Sequence, residues 1–94
     1  MAIQSFRCAD TQALFELRRV PRWVNAEAPA LKKLRLLHAA RQLVDLRTPP
    51  GNRLEYLKDG KRAGRHSIRI NDQWRICFVW TADGPADVEI FDYH

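Results

Sequence analysis

Apolar positions recur at helical spacing in the first half of this chain and at every second position in the last third. Leu14, Phe15 and Leu17 predict a helix that starts at an Asp10 N-cap and runs to about Arg19, where Pro21 stops it. Leu34, Leu37, Ala40 (or Arg41) and Val44 predict a longer helix from about Glu27 to Leu46, with Pro29 tolerated in its first turn. Thr48-Pro49-Pro50-Gly51-Asn52 is a break. Strands are then expected over Arg53–Lys58, Arg65–Ile70, Gln73–Thr81 and Asp87–Tyr93, with a short first strand at residues 2–7. The order β-α-α-β-β-β-β predicts a single α+β domain over residues 1–94, its two helices packed on one face of an antiparallel-rich sheet.

Burial fixes the register of the central hairpin. A two-residue turn at Asn71-Asp72 would send the apolar positions of the two strands to opposite faces. A three-residue loop, Asn71-Asp72-Gln73, instead pairs Ile70 with Trp74, Ile68 with Ile76 and His66 with Phe78. That register sets Arg69 opposite Arg75 on the other face, an arrangement that destabilises a sheet unless an anion or an acid relieves it. If Val88 and Ile90 join Phe78 and Ile76, Arg75 faces Phe91 or Tyr93, and Tyr93 shares its face either way. Asp92 then starts from the core side. Trp74, Phe78 and Trp80, at period two, read as core rather than as a platform for stacking bases.

The composition narrows the class of partner. The formal net charge of +5 and the pI of about 9.8 favour an anionic partner, most often nucleic acid. Cys8 and Cys77 are lone thiols without a Cys-x-x-Cys pair, which suits a reducing, cytoplasmic setting. No apolar run approaches the roughly 18 residues of a membrane span, and no signal-peptide pattern opens the chain. His38, His66 and His94 lack metal-ligand spacing, so neither a metal nor another cofactor is expected. The sequence closes on a carboxylate, a phenol and an imidazole, Asp92-Tyr93-His94, behind a basic body in which no Lys or Arg follows Arg75.

Several segments together carry a family resemblance: Asn52-Arg53-Leu54, Leu57-Lys58, the stretch from Ser67 to Ile76 with its Asn-x-x-Trp-Arg hairpin, and Asp92-Tyr93-His94. In these the chain resembles the HigB toxins, the plasmid maintenance system killer branch of the RelE/ParE toxin superfamily. The resemblance implies a RelE-like fold and a type II toxin that enters the A site of the 70S ribosome and cleaves mRNA there. It also implies a helix-turn-helix HigA-like antitoxin, through which alone the toxin would meet operator DNA. One position departs from the family: relatives often carry His where Glu55 stands here, which puts the general base in question and implies a slower enzyme.

Metal-free RNA cleavage needs a base for the 2′-hydroxyl, an acid for the departing 5′-oxygen and cations on the phosphate. Arg75 is the first candidate for the phosphate, because a guanidinium stays charged and can bind two oxygens at once. Lys58 is a second phosphate contact or an ordinary turn lysine. His94 titrates near neutrality, and its own terminal carboxylate favours the protonated ring. Tyr93 is expected to stack on a base or donate to an oxygen, with a plain surface Tyr at a strand end as the alternative, and Asp92 to orient His94 or hold the terminus rather than contact RNA. Glu55 is the uncertain base, with a salt bridge to Arg53 or Lys58 as the plainer reading. Arg69, Arg53, Lys61, Arg62, Lys32 and Lys33 are further candidates for phosphate contact, although the helix lysines also read as a solvated face. Two other functions stay open: a ParE-like gyrase poison, and a non-catalytic basic module that binds rRNA or DNA.

Overall fold

A computed structural model describes residues 2–92. Two helices, α1 (Ala9–Phe15) and α2 (Glu27–Ala39), pack on one face of a four-stranded antiparallel sheet. Its strands are β1 (Glu55–Tyr56), β2 (His66–Arg69), β3 (Trp74–Thr81) and β4 (Gly84–Asp92), in the order β1-β2-β3-β4. This is the α+β class expected. The core lies between helices and sheet, where Leu14, Trp23, Leu34, Leu37 and Leu46 meet Ile68, Ile76, Phe78, Val88 and Ile90. Trp74 and Trp80 are half-buried against that core, Trp74 edge-on to Trp23 at 6.0 Å.

The β2–β3 hairpin has the expected register: His66 faces Phe78, Ile68 faces Ile76 and Arg69 faces Arg75. Asn71 closes the loop, its Oδ1 accepting from the backbone N–H of Gln73 (2.9 Å) and Trp74 (2.8 Å). In the next hairpin Ile76 faces Ile90 and Arg75 faces Phe91. The register then shifts between Cys77 and Val79, where Asp87 takes a left-handed φ of 51°. Two residues of β4 thus oppose one of β3, as in a β-bulge.

Several boundaries depart from expectation. Of the strand expected over 53–58 only Glu55–Tyr56 forms, since Arg53 turns left-handed (φ 46°), and β4 starts at Gly84 rather than Asp87 because Gly84 and Pro85 already pair with Thr81 and Trp80. Residues 2–7 form an extended segment with one parallel bridge, Phe6 to Val88, rather than a full strand. Asp10 lies inside the first turn of α1, whose N-cap position is Cys8. The same helix stops at Phe15 because Leu17 turns left-handed (φ 67°), allowing Leu17 N–H to donate to Leu14 O (3.0 Å) and Arg18 N–H to Ala13 O (2.9 Å). The second helix ends at Ala39 instead of Leu46, since the Asp45 carboxylate accepts from the N–H groups of Arg41 and Gln42, both at 2.9 Å, and starts a separate 3₁₀ turn, Leu43–Arg47. Asp side chains compete in this way with continuing helix hydrogen bonds. The new turn buries Leu46 and leaves Val44, an expected member of the helix stripe, 55% exposed.

Candidate active site

The face of the sheet opposite the helices holds the candidate chemistry. A cleft of about 260 Å3 there is lined by Arg53, Glu55, Arg69, Asn71, Asp72 and Arg75. It brings together four of the residues singled out in the sequence, and Arg75 is its anchor. Arg75 is only 4% exposed, although strand arginines are normally at the surface. Its Nε donates to Ser67 Oγ (3.0 Å), and its Nη2 donates to Arg53 O (2.7 Å) and Ser67 O (3.4 Å). Its Nη1 lies 3.6 Å from Glu55 Oε1. The guanidinium is therefore fixed in position and direction by neighbouring backbone and side-chain oxygens.

The Arg53 carbonyl reaches Arg75 because Arg53 adopts a left-handed conformation (φ 46°, ψ 58°) after the Pro50–Asn52 turn. A non-glycine residue in that region costs free energy and needs surrounding structure to hold it. Asn52 supplies that structure. It is fully buried, and its Nδ2 donates to Leu46 O (3.0 Å) and Thr48 O (3.3 Å). Its Oδ1 accepts from Lys33 Nζ. Lys33 is thus turned to the loop rather than standing on a purely solvated face. Burial, followed by the nearby charges of Lys32 and Arg69, holds its ammonium below the usual lysine range.

The facing arginines of β2 and β3 are relieved from within the protein. Arg69 pairs with Asp72, and Arg75 with Glu55. The opposition therefore requires no bound anion. Glu55 makes its ion pair across the sheet to Arg75, where a bridge to Arg53 or Lys58 had been the plainer expectation.

Other expected residues lie outside the Arg75 cleft. Lys58 is exposed beside an open groove that shares Glu55 with the Arg75 cleft. Lys61 and Arg62 line a separate groove with Asp92, of about 330 Å3. Arg62 Nε donates to Glu89 Oε1 (3.0 Å), and its guanidinium sits 4.4 Å from the Phe91 ring centre. Lys32 is exposed on α2. Asp92 pairs with Trp74 and accepts from Gln73 Nε2 (3.1 Å). Tyr93 and His94 lie outside the described residues. Sequence reasoning missed Ser67 and Asn52 as supports of Arg75, and Asn71 and Asp72 as part of the cleft wall. All four fall inside the family-like segments, which was the available signal.

Beneath the same face, Cys77 Sγ lies 3.5 Å from Glu89 Oε1, and burial followed by that carboxylate's charge pushes the thiol up to about 12. Cys8 and Cys77 are both free thiols. Among the described residues, no helix is long and apolar enough to cross a membrane.

Comparison with known proteins places the chain in a family. Residues 10–94 match the family described as HigB-like toxin, a RelE-like toxin of the type II toxin-antitoxin system HigB. The chain is also 46% identical over 70 residues to Toxin HigB-1 of Vibrio cholerae serotype O1 (strain ATCC 39315 / El Tor Inaba N16961). That match covers 74% of this chain and 72% of the relative.

Proposed function

The chain belongs to the family of RelE-like HigB toxins of type II toxin-antitoxin systems, and from that premise we propose that it is a ribosome-dependent endoribonuclease that cleaves mRNA through the 2′-hydroxyl. A type II toxin has an antitoxin partner; here we take it to be a HigA-like helix-turn-helix protein. The cytoplasm is the compartment in which such a protein would meet its ribosomes. The observation that carries the enzymatic reading is the cleft in which a fixed Arg75 guanidinium stands beside Arg53, Arg69 and the Glu55 carboxylate.

In the proposed mechanism Arg75 and Arg69 hold the scissile phosphate and stabilise the charge that grows on its oxygens. Preorganised donors are worth most when the protein has already oriented them, and Arg75 is oriented by Ser67 and Arg53. Glu55 takes the 2′-hydroxyl proton, and the attacking oxygen closes a 2′,3′-cyclic phosphate. His94, two residues beyond β4 in sequence, protonates the departing 5′-oxygen, while Tyr93 and Asp92 position RNA and imidazole. Lys58, Lys61, Arg62 and Lys32 serve as outer phosphate contacts.

Purified ribosomes programmed with a defined mRNA test this reading. New 5′ ends should appear with the wild-type protein, and Arg75→Ala should slow their formation by about 10²–10³-fold. Because Arg75 is buried, circular dichroism and a melting curve must show that the variant is folded. Wild-type protein that yields no new ends, or a folded Arg75→Ala variant that cleaves at the normal rate, refutes the proposal. Absent cleavage together with an induced DNA-damage response would favour gyrase as the target.

A further inference from the structure

A second groove adjoins the Arg75 cleft. We propose that it is a nucleobase subsite, which receives a base of the single-stranded RNA whose neighbouring phosphate lies at Arg75. The inference rests on the ribonuclease reading and adds a binding site to it.

The groove, of about 470 Å3, runs between the Leu43–Arg47 turn and β1. Leu43, Val44 and Leu54 form its apolar walls, and Tyr56 and His66 its aromatic wall. Small-molecule sites are commonly of this size and lining, with few polar groups. Two of the large apolar side chains that the fold leaves exposed, Val44 at 55% and Tyr56 at 54%, meet here. The helix stops early at Ala39 and the separate turn carries Val44 to this groove.

The aromatic wall is firmly mounted. Tyr56 lies edge-on to His66 at 5.1 Å, and His66 stacks on the buried Phe78 at 6.3 Å with an interplanar angle of 21°. Burial holds the His66 ring below its ordinary pKa, so near neutral pH it is an uncharged flat surface. Unstacked RNA bases bind to such rings, since every base offers a π-face. Arg47 lines the groove as an exposed cation, suited to the phosphate of the same nucleotide.

Glu55 decides between RNA and an apolar peptide as occupant. It lines this groove and also the Arg75 cleft. The groove lies on the helix side of the edge strand β1 and the cleft on its other side, so a base in one and a phosphate in the other would belong to one RNA strand bent round that edge.

Aromatic and methyl NMR of the full chain tests the proposal, with a non-cleavable 2′-O-methyl RNA trinucleotide as probe and inorganic phosphate as control. The trinucleotide should shift the Tyr56 and His66 ring signals and the Val44 methyls, while phosphate alone should leave them unmoved. On ribosomes, Tyr56→Ala should raise KM about tenfold or more with little change in kcat, and Tyr56→Phe should restore it. Tyr56 is exposed, and a melting curve checks the fold of both variants. Groove signals that do not move with the trinucleotide overturn the subsite. So do groove signals that move only with the antitoxin, which would assign the groove to a protein partner. If the wild-type protein cleaves mRNA while Tyr56→Ala has an unchanged KM, the subsite fails and the ribonuclease reading survives. If the wild-type protein cleaves nothing, the ribonuclease reading fails first.

Discussion

Replacing Asn52 by Ala should damage the site from behind, without touching the cleft. The side chain donates to Leu46 O and Thr48 O and accepts from Lys33, all around a fully buried position. Each neutral hydrogen bond contributes about 0.5–1.5 kcal/mol, and a buried carbonyl left without its donor costs about 1–3 kcal/mol. Lys33 is half-exposed and regains water, so its bond adds little to the loss. The expected destabilisation is about 2–4 kcal/mol, since two carbonyls lose their partner and one of them lies beside the core residue Leu46. Urea unfolding followed by tryptophan fluorescence measures it, as a lower midpoint with an unchanged slope. Asn52→Asp separates the parts: its carboxylate can still accept from Lys33 but makes neither donated bond. It should therefore lose nearly as much stability as Asn52→Ala. Cleavage by the folded fraction should fall as well, because the loop that holds Arg53 left-handed also aims Arg75. A loss below about 0.5 kcal/mol in Asn52→Ala would refute the claim that this side chain holds the loop.

Three further outcomes are expected. Leu17→Gly should raise stability by about 0.5–1 kcal/mol in the same urea assay, because Leu17 is 69% exposed and left-handed, a conformation that costs a non-glycine residue about 1–2 kcal/mol against the lost chain stiffness. His66 has a folded pKa below its unfolded value, so its contribution is fully present above about pH 6.5 and is lost as pH falls through the folded pKa; thermal melts from pH 7.5 to 5 should show this loss, and His66→Gln should flatten it. Cys77, pushed up to about 12, should resist iodoacetamide in the native protein at pH 8 while the half-buried Cys8 reacts, with Cys77 labelling only as fast as the chain unfolds, as peptide mass spectrometry would show.

The central hairpin was legible because two independent constraints agree on it. A one-residue slip would have exposed either Ile68 and Ile70 or Trp74, Ile76 and Phe78. The end of α2 was not legible, since Val44 continues the helical period and only Asp45, capping Arg41 and Gln42, breaks it. The first strand shrank to a bridge because the pairing available to residues 2–7 comes from the bulged part of β4. For the site, strand alternation correctly placed Arg69 and Arg75 on one face. It could not show that Arg75 is buried, because its acceptors come from residues 53 and 67, fixed only when three strands and the Asn52 loop assemble. Nor could it reveal that Asp72 and Glu55 relieve the facing arginines.

The short segment before α1 shapes how this protein behaves in company. Gln4 N–H donates to Pro85 O (2.7 Å), Arg7 N–H to Val88 O (3.0 Å) and Val88 N–H to Ser5 O (3.1 Å), which covers one margin of the nine-residue β4. At the opposite margin, β1 is two residues long. Unpaired strand margins recruit other chains and seed aggregates, and here neither side presents a long bare template. Removing residues 2–7 would uncover β4 along much of its length. Self-association in light scattering, rather than a loss of cleavage chemistry, is the defect that such a truncation should show first.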